Sequence, residues 1–74
     1  MPAILKPIGA LARYGDGRES ITIESGITVR EALSRSGIVP DLVALVLVNE
    51  QQRRKDYVVR EGDVIEVLAV IGGG

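Results

Sequence analysis

One stretch of this 74-residue chain, from Thr28 to Gly37, has the start and stop signals of an α-helix. Thr28 and Glu31 have the spacing of a capping box, in which each side chain accepts a hydrogen bond from a backbone N–H of the first turn. Gly37 is placed for a left-handed C-terminal cap, in which Ile38 contacts the helix, and Pro40 prevents continuation. The apolar residues recur on one helical face: Val29, Ala32 and Leu33. These signals predict a short amphipathic helix of about nine residues.

The other apolar segments have the patterns of β-strands. We predict strands over residues 3–8, 20–24, 44–49, 57–59 and 64–71. Pro7 is a difficulty for the first strand, because proline has no N–H to donate to a ladder. The segment 44–49 is almost continuously apolar, which favours a central strand covered on both faces. Residues 9–18, 50–55 and 61–63 are predicted as loops or turns. One helix on one mixed sheet gives a two-layer α+β domain, although local signals leave several topologies open.

Composition excludes several classes of function. The chain has no cysteine and no histidine, so disulfides and the usual zinc ligands are missing, and we expect no metal site. A net charge of −1 and only two aromatic residues argue against nucleic-acid binding. The longest apolar run, residues 42–48, is too short to cross a bilayer, and no signal peptide is evident. We therefore expect a cytoplasmic protein that binds no membrane.

The sequence ends in three glycines, Gly72, Gly73 and Gly74, directly after the last predicted strand. Glycine has no side chain and allows close approach of another backbone. A narrow active site of a partner enzyme could therefore admit this tail and reach the carboxylate of Gly74. The alternative interpretation is an ordinary frayed terminus.

The last strand alternates between two faces. If the helix covers one of them, Val64, Leu68 and Val70 lie on the open face of the sheet, near Ile4 and Lys6. An exposed aliphatic patch of this kind is a candidate protein-binding surface. The alternative is that loops cover these residues as ordinary core. The predicted partner-binding set also includes Ile71, which directly precedes the glycines.

The only basic run is formed by Arg53, Arg54 and Lys55. A solvated turn is the favoured interpretation, and contact with an acidic partner surface is the alternative. Arg13 and Arg60 could contribute to such a contact.

Four segments, taken in order, resemble the MoaD/ThiS family of ubiquitin-like sulfur carriers. They are IGALARYG after the first strand, TVREAL at the helix start, VNE at the end of the third strand, and the C-terminal REGDVIEVLAVIGGG. The resemblance implies a β-grasp fold with a four- to five-stranded mixed sheet and one main helix. It divides the chain into a domain over residues 1–71 and a reactive tail over 72–74. The first half resembles the molybdopterin-synthase small subunit, and the second half resembles the thiamine-pathway carrier.

The resemblance also implies a function. An E1-like adenylyltransferase would use ATP to adenylate the C-terminal carboxylate, and sulfur would then replace AMP to give a thiocarboxylate on Gly74. Gly72 and Gly73 would be the tether. The sulfur acceptor would be a molybdopterin synthase large subunit, a thiazole synthase or a cysteine synthase type of enzyme. The chain would then be a carrier substrate and not an enzyme, with no cofactor of its own.

Two alternatives share most of these features. A ubiquitin-like modifier would be activated in the same way and then attached to lysines of target proteins. A non-reactive β-grasp interaction domain would not need the terminal glycines.

Overall fold

The computed structural model describes residues 1–9, 11 and 20–69. Its strands and helices, in chain order, are β1 (Ala3–Ile8), β2 (Ile21–Ile23), α1 (Val29–Arg35), a 3-10 turn (Pro40–Leu42), β3 (Val43–Val48), β4 (Gln51–Arg53) and β5 (Val64–Ala69). The five strands form one sheet in the order β2-β1-β5-β3-β4. Strands β1 and β5 are parallel, and the other neighbours are antiparallel. The predicted mixed sheet with one main helix is therefore confirmed.

The helix signals correspond to observed hydrogen bonds. The Thr28 hydroxyl accepts from the Glu31 N–H at 3.1 Å. Gly37 has a φ of 83°, and the N–H of Ile38 donates to the Leu33 carbonyl at 2.9 Å, which completes the left-handed cap. The helix itself has seven residues, because the first and last positions of the predicted nine, Thr28 and Ser36, are its caps. The Glu31 carboxylate accepts from Arg35 on the next turn.

Pro7 fits within β1 because of where its nitrogen lies. The Ile4 N–H donates to the Asp63 carbonyl, on the β5 side of the strand. Backbone groups alternate between the two neighbours, so position 7 is directed away from β5. On that side, the described residues of β2 pair with residues 3–5. Among the described strands, the missing N–H of Pro7 therefore costs no ladder hydrogen bond.

The segment 44–49 forms a strand with a neighbour on each side, as predicted, but the prediction that both of its faces are covered is wrong. The observed strand β3 lies between β5 and β4, and β5 occupies the centre of the sheet. Val46 and Val48 are buried, whereas Ala44 is exposed and Leu47 is half-buried. Within the described residues, α1 covers one face of the sheet, so the continuous apolar run here reflects a second face that is apolar and partly exposed.

The fourth strand lies in a different segment from the one predicted. Asn49 and Glu50 form the connection after β3, with φ of 50° and 70°, and β4 follows at once in the segment predicted as a polar turn. Residues 57–59 form no strand and contribute a single bridge between Thr28 and Val58. The cause is that β4 is a fully exposed edge strand, so its residues carry no apolar pattern.

The hydrophobic core lies between α1 and the face of the sheet that this helix covers. Its members are at most 7% exposed: Ala3, Leu5, Leu11, Ile21, Ile23, Val29, Ala32, Leu33, Ile38, Val43, Val46, Val48, Val59, Ile65 and Val67. Leu11 lies in the segment predicted as a loop, so at least this residue of the segment belongs to the core.

Candidate partner-binding site

Strand β5 presents its side chains alternately to the core and to the opposite face of the sheet. Ile65 and Val67 are completely buried, and Ala69 packs against the core. Val64 and Leu68 point the other way and are half-buried. The predicted division of the last strand between two faces is therefore confirmed for residues 64–69.

The face opposite the helix, called here the open face, extends across three strands. Leu68 lies between Ile8 of β1 and Leu45 of β3, and Val64 lies beside Ile4. Ile8 is 38% exposed, and the other two neighbours of β5, Ile4 and Leu45, are half-buried. Aliphatic side chains thus form a partly exposed surface around Leu68, next to the point where the chain continues to the glycine tail.

Two charged residues lie at the middle of the open face, between its two aliphatic ends. Lys6 and Glu66 occupy facing positions on β1 and β5, and Leu47 is next to Glu66 on β3. Lys6 is exposed, and Glu66 is half-buried. The predicted proximity of Ile4 and Lys6 to the last strand is confirmed. The alternative that loops bury Val64 and Leu68 as ordinary core does not hold, since both keep contact with solvent.

Several predicted site residues lie outside the described part of the chain. These are the partner-binding candidates Val70 and Ile71 and the tail Gly72, Gly73 and Gly74. The roles assigned to them, and the division into a domain over 1–71 and a tail over 72–74, stay predictions. So does the contribution of Arg13 to a basic surface.

Sequence reasoning missed a polar network at the beginning of β5. The Asp63 carboxylate accepts hydrogen bonds from the Asn49 amide at 2.9 Å, the Tyr57 hydroxyl at 2.8 Å and the Arg60 N–H at 2.9 Å. The Asn49 side-chain oxygen accepts in turn from the Val64 N–H at 2.9 Å. Asp63 is only 6% exposed. We call this set of residues the Asp63 network.

The network perturbs two pKa values. Burial tends to raise the pKa of Asp63, but the hydrogen bonds from Arg60, Tyr57 and Asn49 outweigh burial and leave the pKa below its usual 3.8. The hydrogen bond to Asp63 is the main reason that the pKa of Tyr57 is raised above 10.0, with a smaller contribution from burial. The three hydrogen bonds therefore favour the charged form of the carboxylate. Asn49 at a left-handed turn position and the Gly62-Asp63 turn were the available sequence signals.

The network has a structural role. It joins the β3–β4 connection, the segment after β4 and the first residue of β5, and the Asp63 carbonyl accepts from β1 as well. These bonds fix where β5 begins and therefore where it ends. Groups of the chain itself occupy three of the about four acceptor positions of the Asp63 carboxylate, which favours a structural role over acid–base chemistry.

A family model describes most of the sequence. The model named ThiS family matches residues 8–74, which includes all of β5 and the three glycines. The chain belongs to the ThiS family. No curated protein sequence matches it significantly.

Solved structures agree on the fold of this ThiS-family chain. The Haloferax volcanii HVO 2177 protein matches with a TM-score of 0.72 and 19% identity, over 100% of this chain and 87% of the other. SAMP1 from Haloferax volcanii matches with a TM-score of 0.71 and 19% identity over 100% of both chains. Urm1 from Trypanosoma brucei matches with a TM-score of 0.67 and 16% identity, over 99% of this chain and 95% of the other. The fold is that of the ubiquitin-like β-grasp.

Membership of the ThiS family places the chain among small ubiquitin-like carrier proteins. Within residues 1–9, 11 and 20–69, no helix has the length and apolar character needed to span a membrane. The same described residues contain no cluster of three potential metal ligands.

Proposed function

We propose that this ThiS-family protein is a sulfur carrier whose reacting group is the carboxylate of Gly74. The observation that carries the proposal is the family match, which continues through the last glycine on a chain of β-grasp fold. The chemistry requires a carboxylate that an enzyme can reach, and a glycine tether has no side chain to obstruct a narrow active site.

The first step is activation by an E1-like partner. A carboxylate oxygen of Gly74 attacks the α-phosphorus of ATP, pyrophosphate leaves, and an acyl adenylate forms. A carboxylate is a poor electrophile until its oxygen belongs to a good leaving group such as AMP, which is why the step consumes ATP. This chain contributes the substrate atoms, and the partner contributes the catalytic groups.

The second step transfers sulfur. A sulfide or a persulfide sulfur attacks the carboxyl carbon, and AMP leaves; where a persulfide is the donor, a further thiol must cleave the sulfur–sulfur bond. The product is a thiocarboxylate, a soft sulfur nucleophile comparable to a thiolate. The chain has no cysteine, so no internal thiol competes for the adenylate. The acceptor is a biosynthetic enzyme of the molybdopterin, thiamine or a related sulfur pathway.

The open face is the proposed docking surface for the activating enzyme. Leu68 and its neighbours Ile8 and Leu45 are partly exposed next to the end of β5. A partner that covers this surface would remove aliphatic area from water and hold the following glycines in its active site. Val70 and Ile71 would extend the contact toward the tail.

Pyrophosphate exchange with the E1-like enzyme from the native host tests both parts of this proposal. Wild-type protein is expected to support ATP–pyrophosphate exchange, and a variant lacking Gly73 and Gly74 is expected to support none. Leu68→Glu should reduce exchange at least tenfold, because it places a charge in the apolar contact. The matched control is Val58→Glu, since Val58 is 52% exposed and lies outside the open face.

The outcomes of this experiment separate the proposed docking surface from the proposed carrier function. Equal exchange with Leu68→Glu and wild type would overturn the docking surface while leaving the carrier function intact. Unchanged exchange after removal of the glycines would overturn the carrier function itself. Capture of the adenylate by lysine, seen as an isopeptide-linked adduct in place of a thiocarboxylate, would favour the modifier alternative.

A further inference from the structure

Four cationic residues gather at one corner of the domain, where the start of α1 meets the segment after β4. A cleft of about 350 Å³ is lined by Arg30, Arg53, Arg54 and Lys55, together with Ala44, Val46 and Gln52. They are four of the nine Lys and Arg residues in a chain whose net charge is −1. The sequence showed only the run 53–55, and the fold adds Arg30 from the helix.

Backbone hydrogen bonds hold this corner together. The Arg30 N–H donates to the Lys55 carbonyl at 2.9 Å, and the Tyr57 N–H donates to the Arg54 carbonyl at 3.0 Å. The Arg53 guanidinium lies 5.7 Å from the centre of the Tyr57 ring, within the range of a cation–π contact. Because the hydroxyl of that ring is bonded to Asp63, the cleft is anchored to the Asp63 network. The fold thus brings the backbone segments that carry the four charges together.

The described carboxylates form no ion pair with this cluster. Arg35, one helical turn further on, differs: it pairs with Glu24 at 3.0 Å and with Glu31 at 3.2 Å. The prediction that residues 53–55 form a solvated turn therefore describes them only in part. Arg53 belongs to β4, and the four cationic side chains share one cleft.

We propose that this basic cleft is a second protein-binding surface, which takes an acidic segment of a partner protein. Charge complementarity is the argument: four cations that form no ion pair within the described part of the chain fit carboxylates better than any other common protein group. Nucleic acid fits less well. The chain carries a net negative charge, and the aromatic ring at the cleft, Tyr57, is covered by Arg53 and bonded to Asp63, so it offers no stacking platform. The inference does not depend on sulfur carriage.

Binding of a short fluorescent oligoglutamate peptide, measured by anisotropy, tests this surface. The double variant Arg54→Gln/Lys55→Gln should bind roughly tenfold more weakly than wild type at low salt. The matched control, Lys6→Gln/Arg35→Gln, removes the same net charge from other surfaces and should bind as the wild type does. Both substitutions in the test variant leave the backbone bonds of residues 54 and 55 in place, and Arg30→Gln is a second variant should the first fail to fold.

Other outcomes overturn the proposal. Equal weakening in both double variants, or no peptide binding at all, would mean that the cluster is an ordinary charged surface. Tighter binding of a charge-matched oligouridine, lost in the same variant, would assign the cleft to nucleic acid. Displacement of the peptide by inorganic phosphate at equal concentration would assign it to a small anion.

Discussion

Strand β5 begins beside buried polar groups and ends beside partly exposed aliphatic ones. At Val64, the backbone is bonded to Asn49, which is bonded to the buried Asp63. At Leu68, roughly 13 Å along the strand, the neighbours are Ile8 and Leu45, and all three side chains keep contact with solvent. The first region joins its polar side chains by hydrogen bonds within the chain, whereas the second leaves apolar surface available to another molecule.

The contrast shows how a small domain can support an apolar surface. A half-exposed aliphatic patch contributes less free energy to folding than a fully buried patch would. The Asp63 network contributes at the other end of the same strand, where it fixes the register of β5 against both β1 and β3. The order and register of the sheet then determine which side chains surround Leu68.

The largest effect on stability is expected from Asp63→Ala. The change leaves the Asn49 amide, the Tyr57 hydroxyl and the Arg60 N–H without their acceptor in a buried site, and should cost about 2–4 kcal/mol of unfolding free energy. Urea denaturation measures it. Glu66→Ala, on the same strand but facing the open side, is the control and should cost about 0.5 kcal/mol or less. Similar losses in both variants would contradict the contrast.

Asn49 stabilises the fold through its side-chain hydrogen bonds and by adopting a positive φ, and a pair of variants can separate these two contributions. Asn49→Ala loses two side-chain hydrogen bonds and places alanine at a φ of 50°, so it should cost about 2 kcal/mol. Asn49→Gly loses the same bonds but tolerates the positive φ, and should cost about 1 kcal/mol. Equal losses in the two variants would show that backbone strain contributes nothing here.

The pH dependence of stability should report the same network. Because folding lowers the pKa of Asp63 from 3.8, its contribution is complete above that pH and is lost as the pH falls through the lowered value. Tyr57 has the opposite sign: its contribution is complete below pH 10.0 and is lost as the pH rises through the raised value. Urea midpoints across pH should fall at both extremes. Asp63→Asn should reduce the loss of stability at acid pH, and Tyr57→Phe should reduce the loss at alkaline pH.

The smallest effect on stability is expected at the other end of the strand. Leu68→Glu should cost about 1 kcal/mol or less, because the side chain is already half in solvent. The same variant is the one expected to lose activation by the E1-like enzyme. A loss of stability as large as that of Asp63→Ala would mean that Leu68 is core, and the activation result would then lose its meaning.

Local signals predicted the parts of the fold that depend on local chemistry. Thr28 and Gly37 mark the helix because caps satisfy backbone groups a few residues away. The alternation in 64–69 gave the two faces of β5. The position of β4 was missed because an exposed edge strand needs no apolar residues, and the pairing of Tyr57 with Asp63 depends on tertiary contacts. The presence of Arg30 in the basic cleft was missed for the same reason, because it depends on the tertiary contact between α1 and the segment after β4.

The most direct test of the central claim is the intact mass of the protein after incubation with the E1-like enzyme, ATP and sulfide. Sulfur carriage predicts a mass gain equal to the exchange of one oxygen atom for one sulfur atom. Fragmentation should place that gain on Gly74, and omission of ATP should abolish it. An unchanged mass under conditions in which the enzyme is active, or a mass gain located on any other residue, would contradict the account.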